Sequence, residues 1–127
     1  MGHTMTSLVT IKRVTWLSKD ALEARVLVTD GKHELECFAQ PFTGSTGDLV
    51  EHPILVLDCD DVERVDALEM KAEKIDDHFA YNLTLKVKNS STSTLLLGDI
   101  EILASNCLPR DITDGDFVNL TSSRLDF

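Results

Sequence analysis

The sequence has no apolar run long enough to cross a bilayer, few basic residues and little cysteine. Its longest apolar runs are Ile54 to Leu57 and Leu95 to Leu97, whereas a membrane-spanning helix needs about 20 apolar residues in succession. The chain carries 12 lysines and arginines against 22 aspartates and glutamates, a formal net charge of -10. Because nucleic acids and anionic membranes bind proteins through lysine and arginine, this balance predicts that neither is a partner.

The cysteines and the N-terminal stretch indicate a compartment. Cys37, Cys59 and Cys107 are odd in number and widely spaced, and no C-x-x-C motif is present. The N-terminal MGHTMTSLVTIKRVTW alternates between apolar and polar residues, without the continuous apolar block of a secretory signal. We therefore expect a cytoplasmic protein whose three cysteines remain thiols, without a metal or another cofactor.

Composition and length indicate one globular domain covering residues 1–127. Hydrophobic residues make up 43% of the chain and charged residues 27%, which is typical of a folded protein. The chain contains no G-x-x-x-x-G-K, G-x-G-x-x-G or G-x-S-x-G motif, so it shows no common phosphate-binding or serine-hydrolase pattern. Three Asn-x-Ser/Thr triplets begin at Asn82, Asn89 and Asn119, and without secretion we interpret them as strand and loop polarity.

Residues 21–39 predict a β-hairpin. Apolar and polar residues alternate on both sides of Asp30-Gly31, a pair typical of a two-residue type I′ turn. Folding the chain at this turn places the apolar residues, including Cys37, on one inward face. The predicted cross-strand pairs are Val28 with His33, Val26 with Leu35, Ala24 with Cys37, and Leu22 with Ala39.

Residues 79–104 predict a second hairpin with a polar NSSTS loop. In its first strand, Phe79, Tyr81, Leu83, Leu85 and Val87 share one face. The returning segment is expected to be one strand with Leu96, Gly98, Ile100 and Ile102 on a common face, and Gly98-Asp99 then marks a bulge. Two further Gly-Asp pairs, Gly47-Asp48 and Gly115-Asp116, are expected to precede strands.

Residues 60–75 fit both a helix and a strand. Asp60 and Glu63 have the spacing of a helix capping box, which allows a short helical turn from Asp60 to Val65. The alternation of Leu68, Met70 and Ala72 favours a strand instead. A turn at Asp76-Asp77 then pairs Ala72 with Tyr81, Met70 with Leu83, and Leu68 with Leu85.

Short strands separated by turns predict a mainly β protein with little helix. The expected fold is a single small antiparallel β-barrel resembling an OB-fold, and the alternative is a β-sandwich.

The stretch ILVLDCDDV, residues 54–62, resembles the first motif of the haloacid-dehalogenase-like phosphatases. In that family the first Asp attacks phosphorus and the second is the acid and base, with Mg²⁺ bound between them and the substrate. The resemblance assigns these roles to Asp58 and Asp60. However, Asp61 stands where the family usually has glycine, and the rest of the chain is predicted to form hairpins rather than the α/β core that the family needs. We therefore interpret Asp58 as the end of a strand and Asp60 or Asp61 as a turn cap.

The acidic balance predicts a non-catalytic protein-binding module, such as an inhibitor or immunity-type protein or an assembly subunit, with a basic protein as partner. A metal-assisted phosphohydrolase that uses Asp58 and Asp60 is the alternative. The residues expected to bind the partner are Asp58, Asp60, Asp61, Glu63, Asp76 and Asp77.

Overall fold

Strands form the regular structure of the computed structural model, which describes residues 8–105 and 107–127. These ranges contain no helix, so none of their segments is a helix able to cross a bilayer. The prediction of a β protein with little helix is confirmed. Residues 1–7, part of the N-terminal stretch that is expected not to be a secretory signal, lie outside the described residues. The strands are β1 (Thr10–Ser18), β2 (Glu23–Thr29), β3 (Glu34–Ala39), β4 (Ile54–Val56), β5 (Asp60–Val65), β6 (Lys71–Lys74), β7 (Tyr81–Asn89), β8 (Thr94–Leu97), β9 (Ile100–Leu103), β10 (Phe117–Ser122) and β11 (Leu125–Asp126).

The strands form one mixed sheet in the order β1-β2-β3-β11-β4-β9-β8-β7-β10-β5, with β6 on the side of β7 away from β10. Two pairs, β11 with β3 and β4 with β9, are parallel, so the prediction of a purely antiparallel sheet is wrong. Within the described residues β1 and β5 end the sheet and do not pair with each other. The sheet is therefore open, and neither the closed OB-like barrel nor the sandwich is confirmed.

The β2–β3 hairpin has the predicted inward face in a different register. Val26 and Cys37 are fully buried, as predicted, but they are opposite each other, and Val28 is opposite Leu35. The predicted pairing was therefore wrong by two residues. A shift of two preserves the face of every side chain, which is why the alternation alone does not reveal it.

The turn explains the shift. The last pair is Thr29 with Glu34, so the connection contains four residues rather than two. The Asp30 carboxylate accepts hydrogen bonds from the backbone N–H groups of Lys32 and His33, at 2.9 and 2.7 Å, and this side-chain turn replaces the expected type I′ turn. Gly31 has the predicted positive φ, +96°, whereas Asp30 does not.

The segment after β7 forms two strands instead of one. Gly98 and Asp99 make the turn between β8 and β9, so the predicted bulge is wrong. The buried face consists of Leu95, Leu97, Ile100 and Ile102, and Leu96 points the other way. Tyr81, Leu83, Leu85 and Val87 are buried as predicted, while Phe79 precedes the strand and is half-buried against Phe38, with ring centroids 5.7 Å apart.

Residues 60–75 contain strands β5 and β6, so the helical turn is wrong and the strand interpretation is confirmed in part. Leu68 and Met70 lie in the connection before β6, so their predicted pairs with Leu85 and Leu83 are wrong. Ala72 pairs with Leu83 instead of Tyr81, again a shift of two residues. Strand β5 pairs with β10, which lies on the other side of β7 from β6. The connection from β5 to β6 must therefore pass over both β10 and β7.

Candidate functional site

Four of the six predicted partner-binding residues lie on or just before β5, the strand that ends the sheet. Asp58, Asp60, Asp61 and Glu63 are all exposed. Asp58 has a structural contact as well: its carboxylate accepts hydrogen bonds at 2.8 Å from the backbone N–H and the hydroxyl of Ser123. These bonds, the backbone bond above all, lower the pKa of Asp58.

A β-bulge at Asp61 sets the direction of the neighbouring carboxylates. Asp60 pairs with Thr121 and Glu63 with Asn119, so β5 has one more residue than β10 between these two pairs. Asp61 takes up the extra length with a φ of +54°. Residues three apart on a regular strand point to opposite faces, but the bulge places Asp60 and Glu63 on the same face of the sheet.

The other two predicted residues, Asp76 and Asp77, lie in the loop between β6 and β7, and both are exposed. The Asp76 carboxylate accepts a hydrogen bond from the backbone N–H of His78 at 2.8 Å, while the Asp77 carbonyl lies 3.3 Å from an Arg25 guanidinium nitrogen. This loop leads into Tyr81, which pairs with Ser122 at the same end of β10 as Ser123. The sheet therefore brings Asp58, Asp60, Asp61, Asp76 and Asp77 to one end, called here the acidic end.

Two Asn-Leu-Thr triplets face each other on the same outer face. One lies on β7 and the other on β10, and because these strands are antiparallel, Asn82 is opposite Thr121 and Thr84 is opposite Asn119. The two asparagine side chains donate to each other at 3.1 and 3.0 Å, and each also donates to the opposite threonine hydroxyl, at 3.3 and 3.1 Å. These four residues are called here the Asn–Thr ladder.

The connection from β5 to β6, residues 66–70, crosses above the Asn–Thr ladder and is called here the arch. Its passage explains why Thr84, on the outer face, is only 5% exposed. A groove of about 670 Å³ lies between the arch and the sheet, a volume typical of ligand-binding clefts. The groove is lined by Val65, Asp66, Ala67, Leu68, Glu69, Lys71, Asn82, Thr84 and Asn119.

The rim of the groove is acidic. Lys71 is its basic residue, and a salt bridge of 3.0 Å to Glu73 already balances that charge. Asp66 and Glu69 on the arch have no ion-pair partner among the residues that the structure describes. Leu68 between them is fully exposed, with a relative exposure of 102%. The arch thus presents an apolar side chain flanked by two carboxylates.

No local sequence pattern indicates this groove. The alternation of β7 placed Asn82 and Thr84 on its outer face, and the two Asn-Leu-Thr triplets were visible as repeats of a pattern. The missing information was the strand order, because β7 and β10 are neighbours only through a long-range pairing.

A disulfide between Cys59 and Cys107 contradicts the expectation of three thiols. It joins the residue before β5 to the segment after β9, with Cα atoms 6.1 Å apart. The two cysteines are 48 residues apart in sequence, so no local pattern indicates that they pair. Cys37 is the free cysteine, and it is buried as predicted. Burial raises the pKa of its thiol far above the usual range, so it is unreactive.

The described surroundings of Asp58 and Asp60 differ from those expected for the phosphatase alternative. Among the described residues no group of three His, Cys, Asp or Glu side chains could hold a metal ion. The carboxylate of Asp58, the nucleophile in the phosphatase alternative, is instead occupied by Ser123. The geometry thus provides no support for phosphoryl transfer.

Comparison with known proteins gives no relative: no family model, no curated protein and no solved structure matches the chain. The function must therefore be inferred from the site itself.

Proposed function

We propose that the protein is a non-catalytic binding module whose acidic surface recognises a basic partner protein. The observation that carries this proposal is the bulge at Asp61, which places Asp60 and Glu63 on one exposed face beside the acidic end. A backbone conformation with positive φ at a non-glycine residue is costly, and such conformations cluster at functional sites. Like charges on one face also repel each other, and a basic partner relieves this repulsion.

The acids of this surface are available to a partner. Asp60, Asp61 and Glu63 make no ion pair with any described residue, although Arg64 follows Glu63 directly on the same strand. Arg64 instead contacts Asp116 at 3.6 Å and Asp111 at 4.0 Å. The basic residue nearest in sequence is therefore turned away from the three carboxylates.

The scaffold of this surface is, in our proposal, a rolled and barrel-like sheet. The backbone N–H of Glu36 on β3 donates to the Tyr81 hydroxyl at 2.9 Å, and the Glu36 carboxylate contacts Lys74 at 2.6 Å. Strand β3 is therefore close to β6 and β7, although several strands separate them in the sheet order. A crystal structure tests this arrangement: hydrogen bonds between Glu36 and both Tyr81 and Lys74 support it, and their absence would contradict it.

A cytoplasmic location remains a prediction, and the Cys59–Cys107 disulfide weighs against it, since structural disulfides are rare in reducing compartments. Thiol labelling of the protein in its source cells decides the point. Labelling of Cys59 and Cys107 under denaturing conditions without a reductant would support the cytoplasm, and protection of both would contradict it.

The function is tested by capture from a lysate of the source cells at low and high salt. The immobilised proteins are the wild type, the double variant Asp60→Asn/Glu63→Gln, and a control, Asp20→Asn/Glu51→Gln, that removes two exposed acids elsewhere. We expect a stoichiometric basic protein that binds the wild type and the control, is released by salt, and is largely lost from the Asp60/Glu63 variant. Equal capture by all three proteins would contradict the proposal.

A further inference from the structure

The groove beneath the arch has the hydrogen-bonding groups that an extended peptide needs. Each asparagine carboxamide oxygen of the Asn–Thr ladder accepts one hydrogen bond, from the other asparagine, and can accept a second. The hydroxyl groups of Thr84 and Thr121 accept a bond from asparagine, and neither donates to a described residue. The asparagine oxygens are therefore acceptors for the N–H groups of an extended chain, and the half-buried Thr121 hydroxyl is a donor for its carbonyl groups, whereas Thr84 is buried beneath the arch.

The charge around the groove favours a basic segment. Asp66 and Glu69 stand on the arch without ion-pair partners in the described part of the chain, and Lys71 is balanced by Glu73. Towards the acidic end, Glu63 and Asp60 lie beside Asn119 and Thr121 on the same face. A ligand in the groove is thus surrounded by uncompensated negative charge, which a lysine or arginine side chain neutralises.

The arch supplies an apolar surface above the same path. Leu68 is fully exposed, and Val65 and Ala67 also line the groove. A bound chain covers this surface, and the hydrocarbon stems of lysine or arginine can pack against it while their charged ends reach the carboxylates.

We propose that the groove beneath the arch binds an extended, lysine- or arginine-rich segment of the partner protein. This inference rests on the proposed function and names the part of the partner that is recognised. The backbone of the segment bonds to the Asn–Thr ladder, and its basic side chains pair with Asp66 and Glu69 on the arch and, towards the acidic end, with Asp60 and Glu63.

The test is a titration with a fluorescein-labelled hexapeptide in which lysine and threonine alternate. Binding is measured by fluorescence anisotropy and by the NMR signals of the asparagine side-chain amides. We expect saturable binding at low salt that shifts the amide signals of Asn82 and Asn119. A peptide with glutamate in place of lysine and a neutral hexasaccharide serve as ligand controls. Stronger binding of the saccharide than of the basic peptide would contradict the proposed ligand class.

Two groove variants and one control locate the binding. Asp66→Asn/Glu69→Gln should weaken peptide binding about three- to tenfold, because it removes two exposed charge pairs with the peptide. Leu68→Ser should also weaken it while leaving the unfolding transition unchanged, because that side chain is fully exposed in the free protein. The control Asp20→Asn/Glu51→Gln removes the same charge from elsewhere and should bind within twofold of the wild type.

The outcomes separate the groove from the acidic surface as a whole. If the peptide binds all variants except Asp60→Asn/Glu63→Gln, or if it leaves the signals of Asn82 and Asn119 unmoved, the groove proposal is wrong and the proposed function stands. If the wild type does not bind the peptide but captures a basic protein from lysate, the groove proposal is again wrong by itself. If the wild type neither binds the peptide nor captures a basic protein from lysate, both proposals are wrong.

Discussion

Two kinds of carboxylate occur in this acidic protein, and their surroundings differ. Asp30 is buried in the β2–β3 turn, where it accepts hydrogen bonds from three backbone N–H groups, of Lys32, His33 and Asp99. Asp60 and Glu63 on β5 are exposed and have no side-chain hydrogen bond or ion pair with any described residue. The comparison indicates that part of the acidic surplus holds turns together, while another part is available for binding.

The turn around Asp30 also shows how structural acids connect distant segments. Through the N–H of Asp99, at 2.9 Å, Asp30 joins the β2–β3 turn to the β8–β9 turn. Gly98 makes this approach possible, because a Cβ at that position would collide with the Asp30 carboxylate. No comparable bond crosses from the carboxylates of Asp60 and Glu63 to another described segment.

The largest expected effect is that of Gly98→Ala on stability. The new methyl group would overlap the side chains of Asp30 and His33, and the residue has a φ of +60°. We expect a loss of about 2–4 kcal/mol in the free energy of unfolding, measured by urea denaturation. Gly115→Ala is the matched control, because it also has a positive φ but meets no atom within 4 Å. An equal loss in both variants would show that the contact between the turns contributes nothing.

Removing the Asp30 carboxylate should have the next largest effect. Asp30→Ala leaves three backbone N–H groups without their acceptor, and we expect it to cost about 2–3 kcal/mol. The comparison to make is with Asp48→Ala, whose carboxylate accepts one bond, from the N–H of Ser45 at 2.8 Å, and which should cost less. Asp48→Ala costing more than Asp30→Ala would contradict the assigned role of the buried turn.

The contribution of Asp30 should depend on pH. Burial acts to raise its pKa, but the N–H groups of Asp99, His33 and Lys32 outweigh burial and lower it. Since the folded pKa is below the unfolded value of about 3.9, the charged group stabilises the fold above that pH. This stabilisation is lost as the pH falls through the folded pKa. The difference in unfolding free energy between the wild type and Asp30→Asn should therefore shrink below about pH 4; a constant difference from pH 7 to pH 2 would refute this linkage.

A smaller loss of stability is expected for Asp58, which is exposed like the binding carboxylates and accepts hydrogen bonds like the structural ones. Asp58→Ala removes the acceptor for the N–H and hydroxyl of Ser123 and should cost about 1 kcal/mol. Ser123→Ala keeps the backbone bond and should cost less than that in the same denaturation experiment. A larger loss for Ser123→Ala would mean that the hydroxyl, and not the backbone bond, holds this corner.

The smallest effect on stability is expected at the exposed acids of β5. Asp60→Asn/Glu63→Gln should change the free energy of unfolding by less than about 0.5 kcal/mol, because neither side chain bonds to a described group. Thermal and urea denaturation measure it. A loss above 1 kcal/mol would place these two residues among the structural acids.

The sequence predicted the faces of the strands better than their partners. The burial of Val26, Cys37 and Leu83 followed from alternation, which has a period of two and so is insensitive to a register shift of two. Backbone turn preferences predict a two-residue turn at Asp30-Gly31, but the side-chain hydrogen bonds of Asp30 lengthen the turn to four residues. The apolar pattern continues beyond Gly98 and therefore predicts a bulge within one strand, where the structure has a turn between β8 and β9.

The candidate site was predicted in part. Asp60 and Glu63 are exposed, as expected of charged side chains. They share one face only because of the bulge at Asp61, which no local sequence pattern predicts. The groove depends on the order β5-β10-β7-β6, which forces the arch across the Asn–Thr ladder. Such long-range pairing is fixed by the packing of the whole sheet and not by any short segment.

The most direct test measures unfolding free energy and binding of the lysine–threonine peptide on the same two variants. We predict that Asp30→Asn lowers stability and binds the peptide within twofold of the wild type. We predict the reverse for Asp60→Asn/Glu63→Gln, which should keep its stability and lose most of its peptide binding. If Asp60→Asn/Glu63→Gln bound the peptide as the wild type does, or lost as much stability as Asp30→Asn, the division between structural and binding carboxylates would be wrong.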